Sequence, residues 1–162
     1  AGTRLIPSAT PFMVNQVTYV LNHRTVPGLQ LECDATLDHE VFFFVAPTGQ
    51  PLDPDPVELE RHFIPGDTPN GYVRTVTVNL NTPIRLDADE SLVVAVEMTG
   101  DVDATCSDGK AVCMRTCPPE SNDDISWWSY SEQPSYSWAT FADLGLPNDT
   151  VAYMNGFVIN YP

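Results

Sequence analysis

Glutamates in two partly apolar stretches are the residues that could carry out acid–base chemistry. Glu97 ends the run LVVAVE and shares one side of the expected strand with Val93 and Ala95. A carboxyl group among apolar side chains can have a raised pKa and act as an acid, with Glu58 or Glu60 as its partner. Retaining glycoside hydrolysis needs two carboxyl groups about 5–5.5 Å apart, a distance that no spacing in this sequence enforces. We therefore predict no catalytic residue and expect Glu97 in solvent near a strand end.

The common signatures of other enzyme classes are missing. The chain has no G-x-S-x-G nucleophile elbow, no H-E-x-x-H zinc motif and no Walker loop for phosphate. The three histidines, His23, His39 and His62, stand beside polar neighbours. We expect them at solvated surface positions rather than around a metal ion.

Aspartates in turns are candidates for holding a calcium ion. The segment DVDATCSDG contains Asp101, Asp103 and Asp108. Calcium takes several oxygen ligands from flexible loops, so we predict these three carboxylates as its ligands if the protein binds this ion. The alternative is that aspartate is common in turns because its side chain accepts hydrogen bonds from backbone amides.

Four cysteines, Cys33, Cys106, Cys113 and Cys117, fit disulfides better than a zinc site. Zinc sites usually contain two ligand pairs with short gaps, whereas three of these cysteines crowd into CSDGKAVCMRTC and the fourth is distant. Four cysteines allow three pairings, and the sequence does not choose between them. If Cys33 is paired, one bond ties the late cluster to an early strand, and the compartment is oxidising.

All three tryptophans lie in the stretch SWWSYSEQPSYSW. Consecutive strand residues point to opposite faces, so Trp127 and Trp128 should differ in burial, and Tyr130 should share the face of Trp128. Aromatic rings in such a strip can stack on sugars, and we predict these three residues and Tyr136 as ligand-binding. The alternative is burial, the usual fate of large aromatic side chains. Trp138 is expected to plug the space beneath a turn.

Charge is the strongest compositional signal. The 162 residues include 22 acidic and seven basic ones, a formal net charge of −15, and Lys110 is the only lysine. Because lysine and arginine neutralise phosphates, we exclude nucleic acid and anionic membrane surfaces as partners. No apolar stretch is long enough to cross a bilayer, so we expect no membrane insertion. The small, polar start AGTRLIPSATPF is typical of a chain after signal removal, and we expect a secreted or cell-surface protein.

The elements that position these residues are predicted to be short strands. Alternation of apolar and polar residues recurs, and no long stretch has the helical spacing of apolar residues. We expect an all-β fold in one domain, 1–162: a two-sheet antiparallel β-sandwich of jelly-roll type, with about eight or nine strands. An immunoglobulin-like sandwich is the alternative. The expected strands lie within residues 11–22, 28–33, 39–47, 57–64, 72–80, 82–86, 91–99, 125–130 and 151–161.

Three of these segments carry a burial pattern. HEVFFFVAP, 39–47, is almost continuously apolar, which predicts a strand buried on both faces. VELERHFI, 57–64, and YVRTVTVNL, 72–80, alternate between apolar and polar residues. An antiparallel sheet with one face in solvent produces this alternation, so we expect each apolar row in the core. The two rows are Val57, Leu59 and Phe63, and Val76, Val78 and Leu80.

The last half of the chain resembles a known class of domain. VNLNTPIRLDADESLVVAVEM, the cysteine-bearing loop and SWWSYSEQPSYSWATFADLG are similar to the later half of jelly-roll domains in secreted bacterial exoproteins. The shared order is a strand, a proline-containing turn, an apolar strand ending near a glutamate, an aromatic strand and a tryptophan-containing turn. The resemblance implies a sandwich and export. Such domains serve as carbohydrate-binding modules, adhesion parts or other surface proteins.

Three functional hypotheses remain at this point. The first is a non-catalytic extracellular β-sandwich that binds glycans or a cell-surface protein. The second is a structural subunit of a filament or surface layer that assembles with copies of itself, with residues 1–11 as an extended N-terminal arm that pairs with a neighbour's open sheet edge. The third and least favoured is a small glycoside hydrolase that uses Glu97.

Overall fold

The structure is a computed structural model. It describes residues 2–6, 11–25, 28, 30–97, 100–102, 108–117, 126–130, 136–140, 143, 151–152 and 154–157. For some strand residues, among them 101–102, 116–117, 126–130 and 136, only the backbone is described.

Every regular element of the described residues is a β-strand, which confirms the all-β prediction. The described residues form sixteen strands, so the predicted number of eight or nine is wrong; many of the strands are only two to five residues long, too short to be told apart in the sequence. Their bounds are β1 Gly2–Leu5, β2 Phe12–Asn22, β3 Arg24–Thr25, β4 Gln30–Cys33, β5 His39–Pro47, β6 Glu60–Ile64, β7 Val73–Leu86, β8 Glu90–Val96, β9 Gly100–Val102, β10 Asp108–Ala111, β11 Cys113–Met114, β12 Thr116–Cys117, β13 Ser126–Tyr130, β14 Tyr136–Thr140, β15 Val151–Ala152 and β16 Met154–Phe157.

Two larger sheets organise these strands. The six-stranded sheet has the order β14-β13-β1-β8-β5-β6. The second sheet has the order β11-β2-β16, and the long β7 also pairs with β2. Two smaller sheets consist of β3-β4-β10-β9 and β12-β15. All described pairs are antiparallel, as predicted, except β4 with β10, which run parallel.

The main core lies between the two larger sheets. Tyr19 of β2 and Val78 of β7 belong to the same buried cluster as Phe43 of β5 and Val94 of β8. One cluster therefore takes side chains from the inner faces of both sheets, the packing of a β-sandwich. The jelly-roll order of connections and the single-domain assignment of 1–162 stay predictions.

Strand β5 is buried on both faces, which confirms its prediction. Phe43 contributes to the main core, and its neighbour Phe44 contributes to a second cluster on the outer face of the six-stranded sheet. Leu52, from the proline-rich connection after β5, belongs to this second cluster, and Trp138 of β14 packs against it. A sheet with apolar residues on both faces needs such a cover, because water would otherwise contact the outer row.

The alternating strand β7 turns the predicted row into the core. Val76, Val78 and Leu80 are buried, whereas Thr75, Thr77 and Asn79 between them are exposed. The exposed row forms cross-strand hydrogen bonds with β2, including one between the hydroxyl groups of Thr18 and Thr77.

In the alternating strand β6, the polar residues rather than the predicted apolar row face the core, so the predicted orientation is wrong. The apolar residues Leu59 and Phe63 are exposed, and so is Val57, with 80% of its surface accessible. The polar residues Glu60 and His62 are half-buried instead. The cause is the register with β5: His62 lies opposite Val41, and Glu60 lies opposite Phe43, and both of these partners face the main core.

The beginning of the chain forms part of its own sheet. Residues 2–5 of the segment expected as an arm are β1, which pairs with β8 on one side and β13 on the other. A Cβ atom at Gly2 would lie 3.2 Å from the ring of Trp138, so the glycine makes room for that ring. Exchange of residues 1–11 between copies stays a prediction.

A disulfide joins Cys33, at the end of β4, to Cys113 of β11, 80 residues later. The predicted link between an early strand and the late cysteine cluster is confirmed. Cys106 and the side chain of Cys117 lie outside the described residues.

Candidate functional site

The predicted ligand-binding aromatic residues lie on two paired strands at one end of the six-stranded sheet. Trp127 and Trp128 are opposite Thr140 and Ala139, respectively. The register shifts after Trp128, and Tyr130 is then the cross-strand partner of Tyr136. The backbone therefore brings all four predicted residues into β13 and β14, and we call these two strands the aromatic edge. Their side chains lie outside the described part of the structure, so the predicted difference in burial between Trp127 and Trp128 stays a prediction.

Trp138 is the one tryptophan whose side chain is described. Its indole ring lies 5.8 Å from the ring of Phe44 and 6.4 Å from that of Phe42, measured between centroids. The residue is part of β14 and packs over the outer face of β5. Most of the stretch ATFADLG lies outside the described residues, so the expected position of Trp138 beneath a turn stays a prediction. The apolar run of β5 leaves two phenylalanines on the outer face, and the indole covers them.

The C-terminal end of β14 is held by a local pair of polar residues. The backbone amide and the hydroxyl of Thr140 donate to Asp143 Oδ2 at 3.1 and 2.7 Å, and the amide of Asp143 donates back to the hydroxyl oxygen. The hydroxyl hydrogen bond, with the amide hydrogen bond beside it, lowers the pKa of Asp143. This reciprocal pair orders the strand end that carries Trp138.

The opposite end of the same sheet presents a charged and apolar surface. We call it the β6 surface, and it consists of Glu40, Val57, Glu58, Leu59, Arg61, Phe63 and Glu97. Arg61 is its centre: the guanidinium donates to Glu58 at 2.5–3.1 Å and to Glu40 at 2.5 Å, and lies 3.7 Å from Glu97. The hydrogen bonds that Arg61 donates to Glu58, and to a smaller extent to Glu40, raise its pKa. The guanidinium also lies 4.6 Å above the ring of Phe42.

The geometry separates the carboxylates that the hydrolase hypothesis would need. Glu97 follows the end of β8 and is exposed, as expected. Glu58 shares the β6 surface with Glu97, but Arg61 stands between them as a common ion-pair partner. Glu60 belongs to the inner row of β6, beside the main core. The described acidic groups here bind an arginine, which favours an electrostatic role over general acid catalysis.

Glu60 and His62 form a polar pair on the inner side of β6. Glu60 Oε1 accepts a hydrogen bond from the amide of Asn81 at 2.8 Å and contacts His62 Nε2. Burial by itself would raise the pKa of Glu60, but these hydrogen bonds together hold it below its usual value. The ring of His62 meets the edge of Phe43 at 6.0 Å. The half-buried position of His62 was not expected from its polar neighbours in the sequence.

His39 is fully buried, so its expected surface position is wrong. Its Nε2 atom lies 2.6 Å from the hydroxyl of Tyr19, within the main core. Burial lowers the pKa of His39 and raises that of Tyr19. The place of His39 in the sequence could have indicated its burial. It begins the almost continuously apolar run of β5, and a buried polar residue there needs a hydrogen-bond partner inside the protein.

A second polar group surrounds the disulfide. Asp34 is buried next to Cys33 and accepts hydrogen bonds from the amide and hydroxyl of Thr36, at 2.9 and 2.7 Å. The hydroxyl hydrogen bond is the largest influence on this carboxyl group and lowers its pKa. His23 and Lys110 lie 3.4 and 3.8 Å away. These contacts connect the sheet of β4 and β10 to the end of β2, so the group has a structural role.

The predicted calcium ligands are only partly described. Asp108 is exposed, and its Oδ1 accepts a hydrogen bond from the amide of Gly109 at 2.8 Å. The backbone of Asp101 lies opposite Lys110 in the register of β9 with β10. Asp103 and the side chain of Asp101 lie outside the described residues. Within the described residues no group of three or more histidine, cysteine, aspartate or glutamate side chains is arranged to hold a metal ion.

Comparisons with protein-family models, curated proteins and solved structures find no match for this chain. Among the described residues there is no helix of the length and apolarity that crossing a membrane requires.

Proposed function

We propose that this chain is a non-catalytic extracellular β-sandwich that binds a glycan at the aromatic edge. The observation that carries the proposal is the register of β13 and β14, which makes Tyr130 and Tyr136 direct cross-strand partners. Cross-strand partners have Cβ atoms about 4.5–5.5 Å apart. Two aromatic residues at this separation provide an area comparable to a sugar ring, on which sugars bind by apolar stacking.

The neighbouring contacts support a rigid platform. Trp138 packs on Phe42 and Phe44, and the pair of Thr140 and Asp143 orders the end of β14. A platform built on strands loses little conformational entropy on binding, which is how preorganised sites gain affinity. The resemblance to jelly-roll domains of secreted exoproteins points in the same direction.

The disulfide and the charge support the extracellular part of the proposal. Disulfides persist in oxidising compartments, and the Cys33–Cys113 bond closes a long segment of the chain. A net charge of −15 keeps an exported domain soluble and apart from nucleic acid. Calcium at Asp101, Asp103 and Asp108 is no part of the proposal, because the basic residue Lys110 is the cross-strand partner of Asp101 and disfavours a cation beside it.

Two other functions receive less support. Self-assembly through residues 1–11 would use a segment whose residues 2–5 already pair on both sides within the same chain. Hydrolysis would use Glu97, which is exposed beside Arg61. The contacts described at residues 2–5 and at Glu97 require neither self-assembly nor hydrolysis.

Binding to a panel of immobilised plant, microbial and animal polysaccharides tests the proposal. We expect one class to retain the protein, and the double variant Tyr130→Ala with Tyr136→Ala to raise the Kd by about fivefold or more, since a stacking aromatic contributes roughly 1 kcal/mol. The matched control is Tyr72→Ala, because Tyr72 is an exposed tyrosine outside the six-stranded sheet. Retention of no polysaccharide, or equal losses in both variants, would contradict glycan binding at this edge.

A further inference from the structure

The end of the six-stranded sheet opposite the aromatic edge has the properties of a docking surface, as far as the described residues define it. Strand β6 is last in the strand order, and within the described residues it pairs with β5 alone. An edge strand presents unpaired backbone N–H and C=O groups to solvent, which another strand can use.

The direction of these backbone groups follows from two hydrogen bonds. The amide of Glu97 donates to the carbonyl of Glu40, so Glu40 directs its backbone groups towards β8. The amide of Leu59 donates to the carbonyl of Phe43, so Phe43 directs its groups towards β6. Directions alternate along a strand, and partners in an antiparallel hydrogen-bonded pair exchange both bonds.

The residues of β6 divide accordingly. Glu60 is the partner of Phe43, and His62 is the partner of Val41, so these two residues direct their backbone groups towards β5. By alternation, the N–H and C=O groups of Arg61 and Phe63 point to the open edge. An added strand would find two donors and two acceptors there in regular order.

The outer row of this edge exposes large apolar side chains beside its charged residues. Phe63 exposes 62% of its surface and Leu59 exposes 52%, and both belong to the outer row. Edge strands are normally protected by charged or proline residues on the strand itself. Here the prolines stand outside β6, at Pro56 and Pro65, and the outer row has an exposed apolar residue on each side of Arg61.

The charge of the β6 surface indicates which kind of partner it would bind. Three carboxylates, Glu40, Glu58 and Glu97, surround the single guanidinium of Arg61. The inner row adds Glu60. Negative charge is therefore in excess around the outer row of the edge, and the whole chain carries −15. A second copy of this chain would bring the same excess of negative charge, and like charges across an interface are unfavourable.

We propose that β6 is a strand-addition site for an extended segment of a partner protein in which apolar and basic residues alternate. Its backbone pairs with Arg61 and Phe63. Its apolar side chains lie on the outer face against Leu59 and Phe63, and its basic side chains lie on the inner face towards Glu60. Main-chain hydrogen bonds supply the affinity in this recognition mode, and alternate side chains supply the specificity.

A synthetic ten-residue peptide that alternates valine and lysine is a direct probe. We expect it to bind with 1:1 stoichiometry and to protect the amides of Arg61 and Phe63 from hydrogen exchange. A peptide of the same composition with its valines in one block and its lysines in the other keeps the charge and loses the alternation, and we expect it to bind at least tenfold more weakly. The alternating peptide N-methylated at every residue lacks main-chain donors in either strand direction and should also lose binding.

Two protein variants locate the site. Phe63→Pro removes the outward amide without removing a hydrogen bond to β5, and Phe63→Ala removes the exposed ring alone. We expect both to raise the Kd about tenfold, as residues central to an interface do, while Tyr72→Ala leaves it unchanged. If either substitution unfolds the domain, the other variant still tests the site. Equal binding of the alternating and block peptides would overturn the proposal, because bulk charge would then account for the affinity. Protection of the Arg61 and Phe63 amides by a concentration-dependent dimer would also overturn it in favour of a second copy.

Discussion

The apolar residues of two alternating segments, 57–63 and 76–80, differ in burial: those of the first are exposed and those of the second are buried. In β7 the row of Val76, Val78 and Leu80 packs into the main core. Next to and within β6, Leu59 and Phe63 lie in solvent, while Glu60 and His62 face inward. The two segments therefore expose chemically different surfaces, a row of threonine and asparagine on β7 and a row of apolar residues interrupted by Arg61 at β6.

The neighbouring strand explains the difference. Strand β7 pairs with β2, where Val76 lies opposite Tyr19 and Val78 lies opposite Val17, both buried. Strand β6 pairs with β5, which is apolar on both faces and accepts either row of a neighbour. The register puts Glu60 and His62 on the inner side, where Asn81 supplies a hydrogen bond to Glu60. An edge strand next to a strand that is apolar on both faces can therefore leave apolar side chains exposed to solvent. A partner strand added at this edge would cover them.

Removal of the disulfide should cause the largest loss of stability. The disulfide is attached to the sheet that contains β7. Cys113 lies in β11, which pairs with β2, the neighbour of β7. Replacing both Cys33 and Cys113 by serine should lower the free energy of unfolding by roughly 4 kcal/mol, because the bond closes a loop of about 80 residues. Urea denaturation measures this loss.

Hydrogen exchange of the same variant locates the effect. We expect faster exchange in β2 and β11 before any change at β5, since the bond anchors their sheet. A loss of stability below about 1 kcal/mol, or a uniform increase in exchange, would contradict this assignment.

A matched pair of leucines tests the two rows directly. Leu80→Ala in β7 removes a buried side chain and should cost about 2–4 kcal/mol of unfolding free energy, through lost burial and the cavity that remains. Leu59→Ala beside β6 removes an exposed side chain and should stay within about 0.5 kcal/mol. Urea denaturation under identical conditions compares them. Similar costs for the two substitutions would mean that Leu59 is part of a core.

The pH dependence of stability should give the smallest effect, and it concerns the strand next to β6. Burial, with a smaller influence of Arg74, holds the pKa of His39 below its ordinary value of 6.5. The unfolded chain therefore takes up a proton at a higher pH than the folded one, and the free energy of unfolding should fall as the pH drops below about 6.5. Urea denaturation between pH 8 and pH 5 measures the slope.

His39→Gln identifies the residue responsible for this slope. The variant has no titrating group at this position and should show a flatter profile over the same range, although its stability at pH 8 is lower. An unchanged slope would assign the pH dependence to another group. Asp34 and Glu60, whose pKa values are lowered, should contribute in the same direction only at more acidic pH.

Much of the fold could be predicted because its signals are local. The bounds of β2 and β5 follow from runs rich in valine and phenylalanine, and the burial of both faces of β5 follows from the continuity of its apolar run. The link from Cys33 to the late cluster follows from the count and crowding of the cysteines. The candidate site was predictable to the level of its strands: SWWSY and the stretch after it do pair, with Tyr130 opposite Tyr136.

Other features depend on residues that are distant in sequence. His39 is buried because Tyr19, twenty residues earlier, meets its ring in the core. Trp138 covers Phe42 and Phe44 because β14 closes the far end of a sheet that also contains β5. The ion pairs of Arg61 combine Glu40, Glu58 and Glu97, which three different segments supply.

The sequence by itself determined the class of the fold, the position of its main strands and the alternation within each strand, because these depend on the chemistry of neighbouring residues. Only the tertiary structure decided which row of β6 faces the core. Alternation states that Phe63 and His62 lie on opposite sides of a strand, but it does not state which side the second sheet covers. That choice belongs to the register with Val41 and Phe43, and it leaves Leu59 and Phe63 exposed.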